Sequence, residues 1–170
     1  MNLGMEDERT EHKRSTGEMR EGMESIASIL NKHGHGTLYF GVRNDGEVVG
    51  QDVSDKTLRD VSQAVGNHIE PRIYPQIERL ETPDGRVYVK VTFSGGERPY
   101  ACDGRYRIRS ADEDVPMSAS ALEDMILERA AGRAPWDSRS SGKPGGFGIR
   151  AVFRARFRCR FRGSGVRDWE

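Results

Sequence analysis

No run of apolar residues in this sequence approaches the ~18 needed to cross a bilayer, and no apolar leader follows the N-terminus. The expectation is a cytoplasmic protein with no membrane partner. Cysteine is nearly absent: among 170 residues only Cys102 and Cys159 carry a thiol, far apart and in unlike surroundings. That excludes a disulfide framework and a Cys-x-x-Cys metal knuckle. Also missing is the G-x4-G-K-[ST] spacing of a P-loop, so no ATP site is read. No Ser–His–Asp or Cys–His arrangement shows a local signature either. Net charge is absent too, but only by cancellation. Residues 1–132 hold 17 basic against 24 acidic side chains, a balance of −7, and residues 133–170 hold 10 against 3, or +7. Two regions with different duties or origins are implied.

What is present reads as one α+β domain. Ser15 and Glu18 fit a capping box, and Met19, Met23, Ile26 and Leu30 make one apolar stripe of a helix that ends at KHGHG (32–36). TLYFGV (37–42), the RNDG turn and EVVG (47–50) predict a hairpin. Ser54 caps a second helix carrying Leu58, Val61, Val65 and Ile69, which Pro71 stops. IYPQIERLE (73–81) predicts an edge strand, and Val87, Val89, Val91 and Phe93 alternate with polar residues in the clearest strand signal. A last hairpin turns at Asp103-Gly104 into RYRIRS (105–110), and Ser120 with Glu123 marks the start of a final helix. The predicted order is α-β-β-α-β-β-β-β-α, with a mostly antiparallel sheet. Residues 1–15 are a charged N-terminal segment, 16–132 the domain, and 133–170 a Gly/Arg/Phe-rich tail. The tail reads as disordered or as text from another reading frame. Its arginines at 150–162 would bind RNA or DNA without sequence preference if the tail is native.

Four segments in this order carry a family resemblance: E-x4-E-x-K (Glu6, Glu11, Lys13), ASILNKHGHGTLYFGVRNDGEVVG (27–50), IEPRIYP (69–75) and ERPYACDGRYRIRSADEDVPMS (97–118). Over roughly residues 5–131 the chain resembles the Schlafen AlbA-type domain of bacterial transcriptional-regulator-like proteins. The resemblance implies an α+β nucleic-acid-binding fold. Vertebrate Schlafens, with two such lobes facing each other, include tRNA and rRNA endoribonucleases, so a lone lobe is expected to pair with a second copy. Bacterial relatives commonly continue into an ATPase-like region and a winged helix. The Arg/Phe text matches neither, and the expectation is a truncated or frame-shifted chain after about residue 138.

Three readings of function follow. In the first, the domain binds DNA or RNA with no cofactor. Arg105, Arg107 and Arg109 alternate on one strand, so their guanidiniums leave one side of the sheet and track phosphates, while Tyr106 and Ile108 face the core. Arg98, Lys13 and Arg14 extend that surface. The plainer alternative for the arginines is ion pairing across strands with Asp112–Asp114. In the second, the domain is a Mg- or Mn-dependent endoribonuclease. The resemblance makes Glu6 and Glu11 its catalytic and metal-binding carboxylates. The family's third acid falls at Asn44, with Asp45 one residue late. In the third, the domain is a dimerising scaffold for a missing ATPase-like part. A zinc site from His12, His33 and His35 has no paired Cys or His cluster to support it.

Overall fold

In a computed structural model the structure describes residues 1–132, and the expected tail lies outside them. The chain runs β1 (Thr10–Lys13), a 3-10 turn (Thr16–Glu18), α1 (Met19–His33), β2 (His35–Phe40), α2 (Asp55–His68), β3 (Ile69–Glu70), β4 (Gln76–Glu81), β5 (Val87–Ser94), β6 (Ala101–Cys102), β7 (Arg105–Ser110), β8 (Glu113–Pro116) and α3 (Ala119–Gly132). The strands form two four-stranded sheets, ordered β1-β2-β5-β4 and β3-β6-β7-β8. β1 is parallel to β2, and every other strand pairing among the described residues is antiparallel. The α+β expectation therefore holds. Among the described residues no helix is long and apolar enough to cross a membrane.

α1 lies between the two sheets, touching β2 on one side and β7 on the other. Its expected stripe packs Met23, Ile26 and Leu30 with Leu38 and Phe40 of β2, Val89, Val91 and Phe93 of β5, and Val61 and Val65 of α2. Each such side chain stabilises the fold by about 1.5–3 kcal/mol relative to exposure. The helix is buried nearly all round, because Ser25, Ser28 and Asn31 on its polar side are buried too.

The two glycines of HGHG do different work. Gly34 adopts φ 76° and donates its N–H to the Leu30 carbonyl at 3.0 Å, which ends α1. At Gly36 a Cβ would sit 2.7 Å from the Arg9 carbonyl oxygen and 2.7 Å from Ile29, so only glycine lets β1, β2 and α1 approach this closely.

Ser54 caps α2 as expected, in a reciprocal pair with Thr57. Two boundaries differ. The α3 start is capped by Ser118, whose hydroxyl accepts the Ala121 N–H at 3.2 Å, and Ser120 lies inside the first turn. The EVVG arm of the first hairpin contracts to a bridge between Val42 and Val48. Gly41, at φ 94°, turns the chain out of the sheet, and Val48 donates instead to the Met1 carbonyl at 3.1 Å. The charged N-terminal segment supplies an edge strand, β1, which its composition did not predict.

Candidate functional site

β1 places Glu11 beside Leu38, on the α1-facing side of the first sheet. There it meets Arg109 of β7, from the second sheet. Arg109 Nη2 donates to Glu11 Oε2 at 2.6 Å, and Nη1 donates to Asp114 Oδ1 at 3.0 Å. The other Glu11 oxygen pairs with Lys13, and the other Asp114 oxygen accepts the Ser25 hydroxyl of α1 at 2.7 Å. One chain of contacts thus joins both sheets and the central helix. Burial opposes the charge on Arg109, which is 2 % exposed, but Glu11 and Asp114 outweigh it and hold its pKa above the ordinary value.

Glu6 is half-buried and accepts the His12 N–H at 3.0 Å. Burial raises its pKa and the nearby Glu11 charge adds to that, against the His12 amide, Lys13 and Arg109. His12 is 1 % exposed, with its ring edge-on to Tyr39 at 5.6 Å. Burial lowers its pKa, while the backbone of Arg43 and Asn44 and the charges of Glu11 and Asp7 oppose the shift. Neither ring nitrogen completes a hydrogen bond of full geometry.

The arginine strand corrects the sequence reading of which face is buried. Its arginine side turns toward α1. Arg107 pairs with Glu24 of α1 at 3.3 Å and donates to the Asp114 carbonyl at 3.1 Å. Arg109 is enclosed and out of reach of an external phosphate. Arg105 is exposed, with no ion pair among the described residues. Tyr106, expected in the core, is 36 % exposed beside Ile126 of α3. The reversal has a cause: α1 offers Glu24 and Asn31 to this strand and Ser25 to Asp114 of the adjoining β8, so the strand's polar side has partners on the helix. Glu24, Ser28 and Asn31 follow the i, i+4, i+7 spacing of one helical stripe opposite the apolar one, a signal the sequence carried.

The remaining expected residues disperse. Arg14 is exposed, and its backbone N–H donates to Glu18 at 2.6 Å. Arg98 lies at the other end of α1, donating to the Asn31 carbonyl at 3.3 Å and facing Glu128 of α3 at 3.7 Å. Asp45 is an exposed turn residue accepting the Glu47 N–H at 3.0 Å. Asn44 offers its carbonyl to the Glu6 N–H at 3.4 Å. His33 Nε2 lies 3.2 Å from Glu8, out of line for a hydrogen bond. Sequence reasoning missed Arg20 of α1. Arg20 and Arg107 both oppose the rise of the Cys102 thiol, which burial pushes up to about 11. Arg20 and Arg105 both help to lower Asp103, whose main cause is its bond from His68. Arg20 and Arg107 meet at Glu24, at 3.9 and 3.3 Å, and Arg105 pairs in register with Cys102 in the β6–β7 hairpin.

A family model described as Schlafen, AlbA_2 matches residues 6–118, about two thirds of the chain. The chain belongs to that family. No curated protein matches this Schlafen AlbA_2 chain. A Corynebacterium diphtheriae protein solved by crystallography is similar in fold, with TM-score 0.57 and 14 % identity, over 72 % of this chain and 24 % of that one. The chain therefore spans about a quarter of that protein's length. The N-terminal domain of a RecG-related protein from Nitrosomonas europaea, solved by NMR, aligns at TM-score 0.39 and 18 % identity, over 52 % of this chain and 62 % of that domain.

The family's endoribonucleases imply a divalent cation, which the donor set here does not fit. Both Glu11 oxygens are engaged by cations, and Asp45 is tied into its own turn. Among the described residues no group of three His, Cys, Asp or Glu side chains is arranged to hold a metal ion.

Proposed function

We propose that this Schlafen AlbA_2 domain binds nucleic acid without cleaving it, as the recognition part of a regulator. Exposed Arg105, beside Arg107 and Arg20 on a strand fixed by buried Arg109, is the observation that carries the reading. Guanidiniums on a rigid strand offer forked donors to backbone phosphates with little ordering cost. Glu24 and Asp103 lie among them, so the patch is only weakly cationic and the affinity modest. A second copy facing the first would double the surface.

The endoribonuclease reading keeps one supporting feature, the shared electrostatic field of Glu6 and Glu11. It also requires a cation to displace Arg109 and Lys13 from Glu11. One assay decides. Labelled tRNA and duplex DNA are titrated with the protein in EDTA and in Mn²⁺, with anisotropy and gel readouts. Retention in EDTA with intact nucleic acid, weakened about fivefold by Arg105→Ala, is expected for loss of one phosphate contact. Cleavage that needs Mn²⁺ and disappears in Glu11→Gln establishes the enzyme instead. Neither binding nor cleavage leaves the scaffold.

A further inference from the structure

On the outer face of the first sheet, Thr37, Thr92 and Gln76 form one cross-strand row, because Thr92 pairs in register with both Thr37 and Gln76. The alternate row, Leu38, Val91 and Ile77, faces the core. The polar row floors a groove of about 530 Å³, with Arg9 and His35 along one side and Tyr74 on the other. Tyr74 is 86 % exposed, the most exposed large hydrophobic side chain among the described residues. None of the residues lining the groove is acidic, although the described part of the chain carries an excess of carboxylates. Arg9 is exposed at the head of the groove, where Glu8 reaches the neighbouring His33 at 3.2 Å but does not line the groove. The HGHG turn that ends α1 therefore sets His35 beside Arg9 at the mouth of an aromatic groove.

A flat aromatic face, a floor of hydroxyls and an amide, and a cation at the rim match the parts of an unpaired nucleotide. The ring stacks on a base, the floor meets the base edge, and the cation meets the adjoining phosphate. A duplex keeps its bases stacked inside and cannot offer one. We propose that this groove is a subsite for an unpaired nucleobase of single-stranded nucleic acid, with Tyr74 as its stacking face and Arg9 on the neighbouring phosphate. The inference rests on the nucleic-acid reading above and specifies the form of strand that is held.

The probe is a single-stranded hexanucleotide carrying one 2-aminopurine, titrated in EDTA at low salt, with a duplex of the same sequence as control. The wild-type chain is expected to quench the 2-aminopurine. Tyr74→Ala abolishes the quench and weakens the single strand about tenfold, as loss of one stacked base does. Tyr74→Phe keeps both, and duplex affinity stays as it was in both variants. Because Tyr74 projects into solvent, these changes leave folding intact, which circular dichroism checks. Equal quench and affinity in wild type and Tyr74→Ala overturn the subsite while leaving phosphate binding by Arg105 standing. Duplex binding with no single-strand binding does the same. A mononucleotide competing fully at micromolar concentration reassigns the groove to a free nucleotide. Absence of binding to every probe overturns this inference and the reading beneath it together.

Discussion

Arg109 is the side chain on which the two sheets depend. A guanidinium can serve Glu11 and Asp114 at once because its donors diverge in one plane, which an ammonium cannot imitate. Arg109→Met would leave Glu11 and Asp114 as carboxylates without their buried partner, and a loss of about 3–5 kcal/mol is expected in urea unfolding. Arg109→Lys should recover little of it. The triple change Arg109→Met, Glu11→Gln, Asp114→Asn should recover much of it, since no buried charge is then stranded. His12 gives a second expectation at this scale. Its folded pKa lies below the ordinary 6.5, and that of His33 is lowered as well. Below that pH the unfolded chain takes up protons that the folded chain refuses, so stability is full above it and declines as pH falls. Glu6, raised by burial, acts in the opposite sense nearer its own range. Melting temperatures between about pH 7.5 and 5.5 should fall for the wild type and flatten in the His12→Gln, His33→Gln double variant.

The elements show how much of this was legible and where it stopped. α1, α2 and β5 were readable because periodicity 3.6 or 2 was clear in each, and in α2 the capping Ser54 agreed with it, whereas Ser15 caps the 3-10 turn before α1 and not α1 itself. β1 was not, because EDERTEHKRS has no apolar residue. Its strand character comes from pairing with β2, and its one buried carboxylate is neutralised from a residue 98 positions away. Arg105, Arg107 and Arg109 were placed correctly on one side of their strand, but which side is inward depends on α1. The helix shows this most clearly at Asn31, which is 0 % exposed. Its amide donates to the Tyr100 carbonyl at 2.8 Å and the Arg107 carbonyl at 2.7 Å, and its oxygen accepts the Tyr100 N–H at 2.6 Å. An asparagine in the last turn of a helix read alone looks like a solvent-facing residue, whereas here it stitches α1 to Tyr100, just before β6, and to Arg107 of β7. Asn31→Leu keeps the branched outline, with greater bulk, and strands three backbone groups. A loss of about 2–4 kcal/mol in denaturant unfolding is expected, with Asn31→Asp no better because the amide donors are gone. A change below about 0.5 kcal/mol would mean that the second sheet is held by other contacts.

At the scale of the whole molecule, the charge distribution limits what binding can look like. A domain at −7 over residues 1–132 repels a polyanion at long range, so attraction must come from local cations whose neighbours do not cancel them. Exposed Arg105 on the β6–β7 hairpin and Arg9 at the Tyr74 groove meet this condition, whereas Arg20 and Arg107 share Glu24 at 3.9 and 3.3 Å and add less. Each phosphate neutralised on a single strand contributes about −0.7 to the slope of log affinity against log salt, and three or four contacts give roughly −2 to −3. That is a shallow dependence beside the slope of about −10 of a strongly basic DNA binder. Titrating a labelled single strand across about 25 to 200 mM salt should give this shallow line, and Arg105→Ala should flatten it by about 0.7. Tyr74→Ala should lower the whole line without changing its slope, because stacking releases no counterions. If Arg105→Ala leaves the slope unchanged, the phosphates are held elsewhere. If Tyr74→Ala changes the slope and not the intercept, the groove acts through charge and not through its aromatic face.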